Sequence, residues 1–238
     1  MPNVFNIQNF STGDGRGIRT TIFMGGCNLH CPWCHNPECF GNKKELSIEE
    51  IMKKVLHDID FYEASGGGVT ISGGEPLLRF NEFIEIAEKV KEKGINLTVD
   101  TALTVNIPDF DKLTSLVDTF LVDLKTADSD KLKYVIGGNF EIYLSNLKEL
   151  KKRNAEVIFR IPLIPDFNTN EKDIRPMADI INEFAYPASF HPFHRMGSSK
   201  YAELGMNYLY KDVPLLTSEE VKAIKQLYFA SGVKEAEI

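Results

Sequence analysis

Six short apolar runs recur along this chain, each followed by a loop and most then by a helix-period pattern, and that alternation restricts the fold more than any other feature. The runs are Ile18 to Met24, Gly68 to Ser72, Asn96 to Asp100, Thr119 to Asp123, Val157 to Pro162 and Ala188 to His191. Runs of this length, rich in β-branched residues and bounded by glycine or polar turns, read as buried strands. Ser47-Ile48-Glu49-Glu50 is a capping box opening a helix with Ile51, Val55 and Ile59 on one face, which ends near Ala64-Ser65-Gly66. Further helical patterns cover Glu82 to Glu92, Asp109 to Val117, segments between Ser129 and Asn154, and a stretch after Asn170. Thr217-Ser218-Glu219-Glu220 caps a last helix, with Val221, Ile224 and Leu227 inward and Gly232 as its stop. Repeated βα units with no break in composition predict parallel strands joined by right-handed crossovers. The expected fold is α/β, a partial (β/α)6 TIM-like barrel in a single domain over residues 1–238.

Such a barrel assembles its site at the C-terminal ends of its strands. Cys27, Gly74, Asp100, Asp123, Arg160 and His194 all fall at or just beyond those ends, which implies one site. All 4 cysteines lie between Cys27 and Cys39, and the first three follow C-x3-C-x2-C. On one tight loop that spacing lets three thiolates converge on an iron–sulfur cube and leaves one iron without a cysteine. A structural zinc site is the competing reading, with Cys39 or His35 completing the ligands, although no second knuckle exists in the chain. A disulfide framework would need an oxidising compartment and cysteines spread through the fold. Cys39 is read as a spare thiol.

A net charge of −7 argues against a nucleic-acid partner, because counterion release needs a concentrated basic face. Lys89 to Lys93 and Lys148 to Arg153 read as solvated helix faces. No signal-peptide pattern opens the chain and no apolar run approaches the ~18 residues of a membrane span, so the expectation is a cytoplasmic protein without membrane contact. Gly13, Gly15 and Gly17 precede a strand, whereas a dinucleotide fingerprint follows one, so that reading is discarded.

C-x3-C-x2-C on the first βα loop, with Ser72-Gly73-Gly74-Glu75-Pro76 after the second strand, resembles the radical S-adenosylmethionine superfamily. Five further stretches resemble the glycyl-radical-enzyme activases within it, over almost the whole chain. They are Phe10-Ser11-Thr12 running on to Arg19, Cys34-His35-Asn36-Pro37, Ala64 to Thr70, Val122-Asp123-Leu124-Lys125 and His194-Arg195-Met196-Gly197. The resemblance implies that Cys27, Cys31 and Cys34 bind a [4Fe–4S] cluster whose open iron takes S-adenosylmethionine. It places Trp33 and His35 near the adenine and His194 at the adenosine end. Gly73, Gly74, Glu75, Asp123, Leu124, Lys125 and Arg160 fall around the rest of the cofactor. Asp100 and Thr101 with Asp123 resemble ligands of a monovalent cation, Na+ or K+.

Ala102-Leu103 stands where the family has Asn-Gly, and Arg16 replaces a proline. Only Phe40 to Leu46 separates Cys39 from the first helix, which leaves no ferredoxin-like insert with an auxiliary cluster. The activity implied is cofactor cleavage to a 5′-deoxyadenosyl radical that takes a glycine Cα hydrogen from a partner glycyl radical enzyme, most simply pyruvate formate-lyase. Asp14 and its neighbours would contact that substrate, flavodoxin or ferredoxin would donate the electron, and the chain would work as a monomer. A radical enzyme acting on a small molecule or a ribosomal peptide, an activase of another glycyl radical enzyme, and a non-enzymatic metal module are the alternatives.

Overall fold

The computed structural model describes residues 1–41 and 45–236. Its sheet has seven strands in the order β1 Val4–Ser11, β2 Arg19–Met24, β3 Gly68–Gly73, β4 Asn96–Thr101, β5 Thr119–Asp123, β6 Val157–Leu163 and β7 Ala188–Pro192. The six runs read from the sequence are β2 to β7, and all of their pairings are parallel. β1 is an addition. It pairs antiparallel with β2 through two register shifts, and its mixed sequence, Val-Phe-Asn-Ile-Gln-Asn-Phe-Ser, gave no clean apolar signal. β1 and β7 are the two ends of the sheet, so the barrel stays open between them.

Helices α1 Ile48–His57, α2 Ile59–Ser65, α3 Phe80–Glu92, α4 Phe110–Leu116, α5 Phe140–Lys152, α6 Glu171–Phe184, α7 Ser198–Glu203 and α8 Ser218–Ala230 complete the βα alternation. A π-helical turn covers Lys131–Ile136. Both predicted capping boxes form: the Glu50 and Glu220 amides donate to Ser47 and Thr217, whose own amides donate back to the glutamates. Two details differ from expectation. The first helix is broken at Asp58, and Leu227 on α8 is 38% exposed while Tyr228 takes the buried position. The part of the Phe40 to Leu46 connection at residues 42–44 lies outside the described residues.

Alternate strand positions divide the interior. Ile22, Ile71, Val99, Val122 and Phe159 belong to a core sandwiched between sheet and helices, each fully buried and contributing roughly 1.5–3 kcal/mol. Phe23, Ser72, Asp100, Asp123, Arg160 and His191, of the opposite parity, line a cavity inside the open barrel. The core is thus outside the barrel and the polar layer inside it. No helix among the described residues is long and apolar enough to cross a membrane.

Asp58 explains the helix break. Its Oδ2 accepts from Asn9 Nδ2 at 2.8 Å, the Phe10 amide at 3.2 Å and Thr20 Oγ1 at 2.8 Å, and its Oδ1 lies 2.9 Å from His57 Nδ1. It therefore fastens β1 to β2 from beneath. Burial alone would raise its pKa, but these hydrogen bonds win and hold it below the ordinary 3.8. The stability this contributes is present above that value and lost as pH falls through the lowered one. Asp58→Asn should cost about 1–3 kcal/mol in urea melts at neutral pH, with the gap to wild type closing below pH 3.8. An equal gap at pH 7 and below 3.8 would contradict the assignment.

Candidate active site

The cysteine loop leaves β2 at Gly25 and is fixed by long-range contacts. The Gly26 amide donates to the Cys39 carbonyl at 2.8 Å, the His30 amide to the Ile136 carbonyl at 2.7 Å, and Tyr201 Oη to the Cys34 carbonyl at 3.0 Å. Leu29 and Trp33 pack with Leu132, Ile136, Phe167, Phe193, Tyr201 and Tyr208 in a second apolar cluster beneath the loop. Trp33 is 9% exposed, with its ring 4.6 Å from Phe167 and 5.6 Å from Tyr210. It holds the loop down and also lines the cavity.

Cys27, Cys31 and Cys34 are half-buried, and Cys39 is buried behind them. Burial pushes the Cys27 and Cys31 thiols up to about 12, with Lys125 opposing the rise at Cys31. Hydrogen bonding with the Cys39 thiol pulls Cys34 down to about 7 and pushes Cys39 up. Three thiols on one cavity wall, two of them near the Lys125 ammonium, suit a positively charged metal centre that takes them as thiolates. The donor set fits a three-cysteine cluster.

The cavity measures about 780 Å³ and is lined by residues from every strand. Asp100 Oδ2 accepts from Ser72 Oγ at 2.8 Å and from Arg160 Nη1 at 3.0 Å, and Asp123 pairs with Lys125. Burial and the Asp123 charge push the Asp100 carboxyl up against the pull of Arg160. Burial acts the same way on Asp123, but Lys125 and Arg160 outweigh it and hold that carboxyl low. Burial would lower the Lys125 pKa, yet Asp123 keeps its ammonium charged. Asp14 enters the cavity from the loop after β1, its Oδ2 accepting from Ser11 Oγ at 2.6 Å and Thr21 Oγ1 at 2.7 Å. The His35 and His194 rings lie 4.2 Å apart at the rim. Burial, His194 and Lys200 push His35 down to about 4, so it is neutral.

Of the residues read from sequence, the structure brings the three cysteines, Trp33, His35, Gly73, Gly74, Asp100, Thr101, Asp123, Lys125, Arg160 and His194 to this cavity. It does not bring Glu75 or Leu124 there. Glu75 is fully enclosed, and its carboxylate accepts from Thr101 Oγ1 at 2.7 Å, the Ala102 amide at 2.8 Å and the Leu77 amide at 3.1 Å. Burial pushes its pKa up to about 7, and its two oxygens tie two loops together and face no open space. Leu124 is 1% exposed and belongs to the core.

The Ala102-Leu103 departure keeps a tight turn. Leu103 sits at φ +56°, its amide donating to Thr101 Oγ1 at 2.9 Å and its carbonyl accepting from Asn146 Nδ2 at 3.0 Å. Complete burial of its side chain offsets the ~1–2 kcal/mol of a left-handed residue. Sequence reading passed over Ser72 and Asn36, which lay inside quoted motifs, and His191. Strand parity marks His191, two residues beyond the inward Ser189.

A profile of the radical SAM superfamily matches residues 21–178, and the chain belongs to that superfamily. It is accordingly an enzyme that uses a [4Fe–4S] cluster and S-adenosylmethionine. Within it, the chain is 32% identical over 230 residues to the pyruvate formate-lyase-activating enzyme of Clostridium pasteurianum, covering 95% of this chain and 96% of that one. It is 31% identical to the benzylsuccinate synthase activating enzyme of Thauera aromatica, covering 98% and 91% of the two chains. A solved domain of a pyruvate-formate lyase-activating enzyme from Bacteroides vulgatus superposes with a TM-score of 0.59 at 26% identity, covering 72% of this chain and 98% of that one.

Gly74 decides where the cysteine loop sits. A Cβ there would lie 2.0 Å from the Gly26 carbonyl and 3.1 Å from Cys27 Cβ. Gly74→Ala should therefore fold, with its circular dichroism retained, but take up less than half the wild-type iron on anaerobic reconstitution. Full iron uptake by that variant would show that the loop does not depend on this approach.

Proposed function

We propose that this enzyme activates a glycyl radical enzyme, with pyruvate formate-lyase as its target. The observation that carries this is near-full-length similarity to activating enzymes on a chain whose open barrel leaves its cysteine wall accessible from the side. A small-molecule rival would share the cysteines and Gly73-Gly74-Glu75, but not the Phe10 to Arg19 and His194 to Gly197 stretches.

Cys27, Cys31 and Cys34 hold the cluster, and Cys39 stays outside the ligand set. When bound, the cluster and S-adenosylmethionine supply reductive cleavage of the S–C5′ bond and, through it, hydrogen-atom abstraction from carbon. Main-chain groups at Gly73 and Gly74, held at the strand end, would hold the ammonium of the cofactor, and His35 and His194 would hold its adenosine end. Lys125, Asp123 and Arg160 set the polarity of the wall opposite. Asp14 is placed to meet a peptide main chain. The electron donor is a flavodoxin or ferredoxin, and the chain works as a monomer in the cytoplasm without an auxiliary cluster.

The test is to incubate the reduced, reconstituted enzyme and S-adenosylmethionine with pyruvate formate-lyase deuterated at glycine Cα. The expected result is deuterium in 5′-deoxyadenosine together with a glycyl radical signal by electron paramagnetic resonance. Transfer from a small metabolite, with none from any glycyl radical enzyme, would move the enzyme to the rival class.

Asp100 and Asp123 repel one another although Arg160 and Lys125 lie beside them, while Arg19 as well as Arg160 acts on Asp14. A monovalent cation held at Asp100, Thr101 and Asp123 would relieve that repulsion. S-adenosylmethionine affinity should then fall when potassium or sodium is replaced by a bulky organic cation, and Asp123→Asn should weaken that dependence by about 1–3 kcal/mol. Equal binding in both buffers would refute the site.

A further inference from the structure

His191, which no motif above includes, stands at the C-terminal end of β7, an end strand of the sheet whose outer edge pairs with Glu235 at Ala188, near its other end. Its side chain lines the same cavity as the cysteines and is half-buried. Ser189 Oγ lies 2.9 Å from His191 Nε2 and 3.3 Å from the Phe159 carbonyl. A hydroxyl has one hydrogen. Donating it to the carbonyl leaves the serine oxygen to accept, which assigns the His191 proton to Nε2 and makes Nδ1 a bare acceptor. No described residue hydrogen-bonds Nδ1.

The ring is neutral. Burial and the neighbouring Arg160 push its pKa down to about 4, against weaker opposing pulls from Asp123 and Asp14. Across the opening, β1 contributes Asn6, Gln8 and Phe10 to the same cavity. The two sides of the gap therefore offer uncharged hydrogen-bonding side chains, with Phe10, Pro192 and Phe193 among them. Neutral amide-like groups beside apolar ones match the main chain of an extended peptide, whose affinity comes from its N–H and C=O groups. The charged groups nearest His191 are already engaged, Asp14 by Ser11 and Thr21 and Arg160 by Asp100.

We propose that His191 accepts, through Nδ1, a hydrogen bond from a main-chain N–H of the peptide segment entering between β1 and β7. This contact fixes where the segment stops relative to the cysteine loop. It rests on the proposed function, since it names how the protein substrate of that reaction is held. His191 is thus a substrate-positioning residue, with no role in cofactor binding.

The experiment measures binding of a fluorescently labelled peptide, copied from the radical-bearing loop of pyruvate formate-lyase, to the reconstituted holoenzyme with S-adenosylmethionine. Binding is compared for wild type, His191→Asn and His191→Leu. Asparagine places an acceptor oxygen near the Nδ1 position, whereas leucine keeps bulk without an acceptor. His191→Leu should weaken peptide binding about three- to tenfold, the range of one hydrogen bond, and His191→Asn should stay within about twofold of wild type. S-adenosylmethionine affinity should be the same in all three.

A second arm uses peptides N-methylated at one amide at a time. One methylation should weaken binding to wild type and leave His191→Leu unaffected. Equal peptide affinity in all three proteins overturns the inference, as does a loss of S-adenosylmethionine affinity with peptide binding intact. Wild type that binds no glycine-loop peptide and takes hydrogen from no glycyl radical enzyme would instead count against the function itself.

Discussion

The close passage of β3 under the cysteine loop is the contact on which the rest of the site depends. The Gly74 amide donates to the Met24 carbonyl at 2.9 Å and the Glu75 amide to the Gly26 carbonyl at 2.9 Å. A side chain at Gly73 would meet the Met24 carbonyl at 2.3 Å, and that residue already needs φ +123°. The Glu75 carboxylate then reaches forward to Thr101 and Ala102, and Thr101 caps the Leu103 turn, which Asn146 on α5 holds from outside. A continuous set of hydrogen bonds therefore runs from the cysteine loop across two strand ends to a helix. The Gly-Gly-Glu stretch acts as much on its neighbours in the fold as on anything in the cavity.

The second organising feature is where charge is allowed. Apolar strand positions point toward the helices and polar ones into the barrel, so the enclosed layer is a set of mutually compensated ions. Arg160 bridges to Asp100, which accepts from Ser72, and Lys125 holds Asp123. Breaking such a buried pair by removing one partner typically costs 3–5 kcal/mol, because the other charge is left uncompensated. That arrangement makes the wall rigid before any ligand arrives.

Much of this was legible in the sequence because it is local. Strand runs, both capping boxes and the cysteine spacing depend on neighbours within a few residues, and each was recovered. β1 was missed because Asn6, Gln8 and Asn9 break its apolar pattern, and only its pairing with β2 makes it a strand. The break at Asp58 depends on Asn9, Phe10 and Thr20, about forty to fifty residues away in the chain. Glu75 reads from the sequence as a charge near the cofactor, whereas its oxygens meet Thr101, Ala102 and Leu77, since orientation after a turn is set by tertiary partners. The tie of Tyr201 and Lys200 to the cysteine loop, at Cys34, Asn36 and Glu38, had no local signal at all.

We propose that Cys27, Cys31 and Cys34 hold a cluster with one iron left open to the cavity for the cofactor. Mössbauer spectroscopy of anaerobically reconstituted, isotopically enriched protein, recorded before and after adding S-adenosylmethionine, tests it most directly. The predicted result is that one iron in four changes its isomer shift on addition while the other three do not, and that Cys39→Ala behaves identically. Four irons unchanged by the cofactor, or tightly held zinc in place of iron, would contradict it.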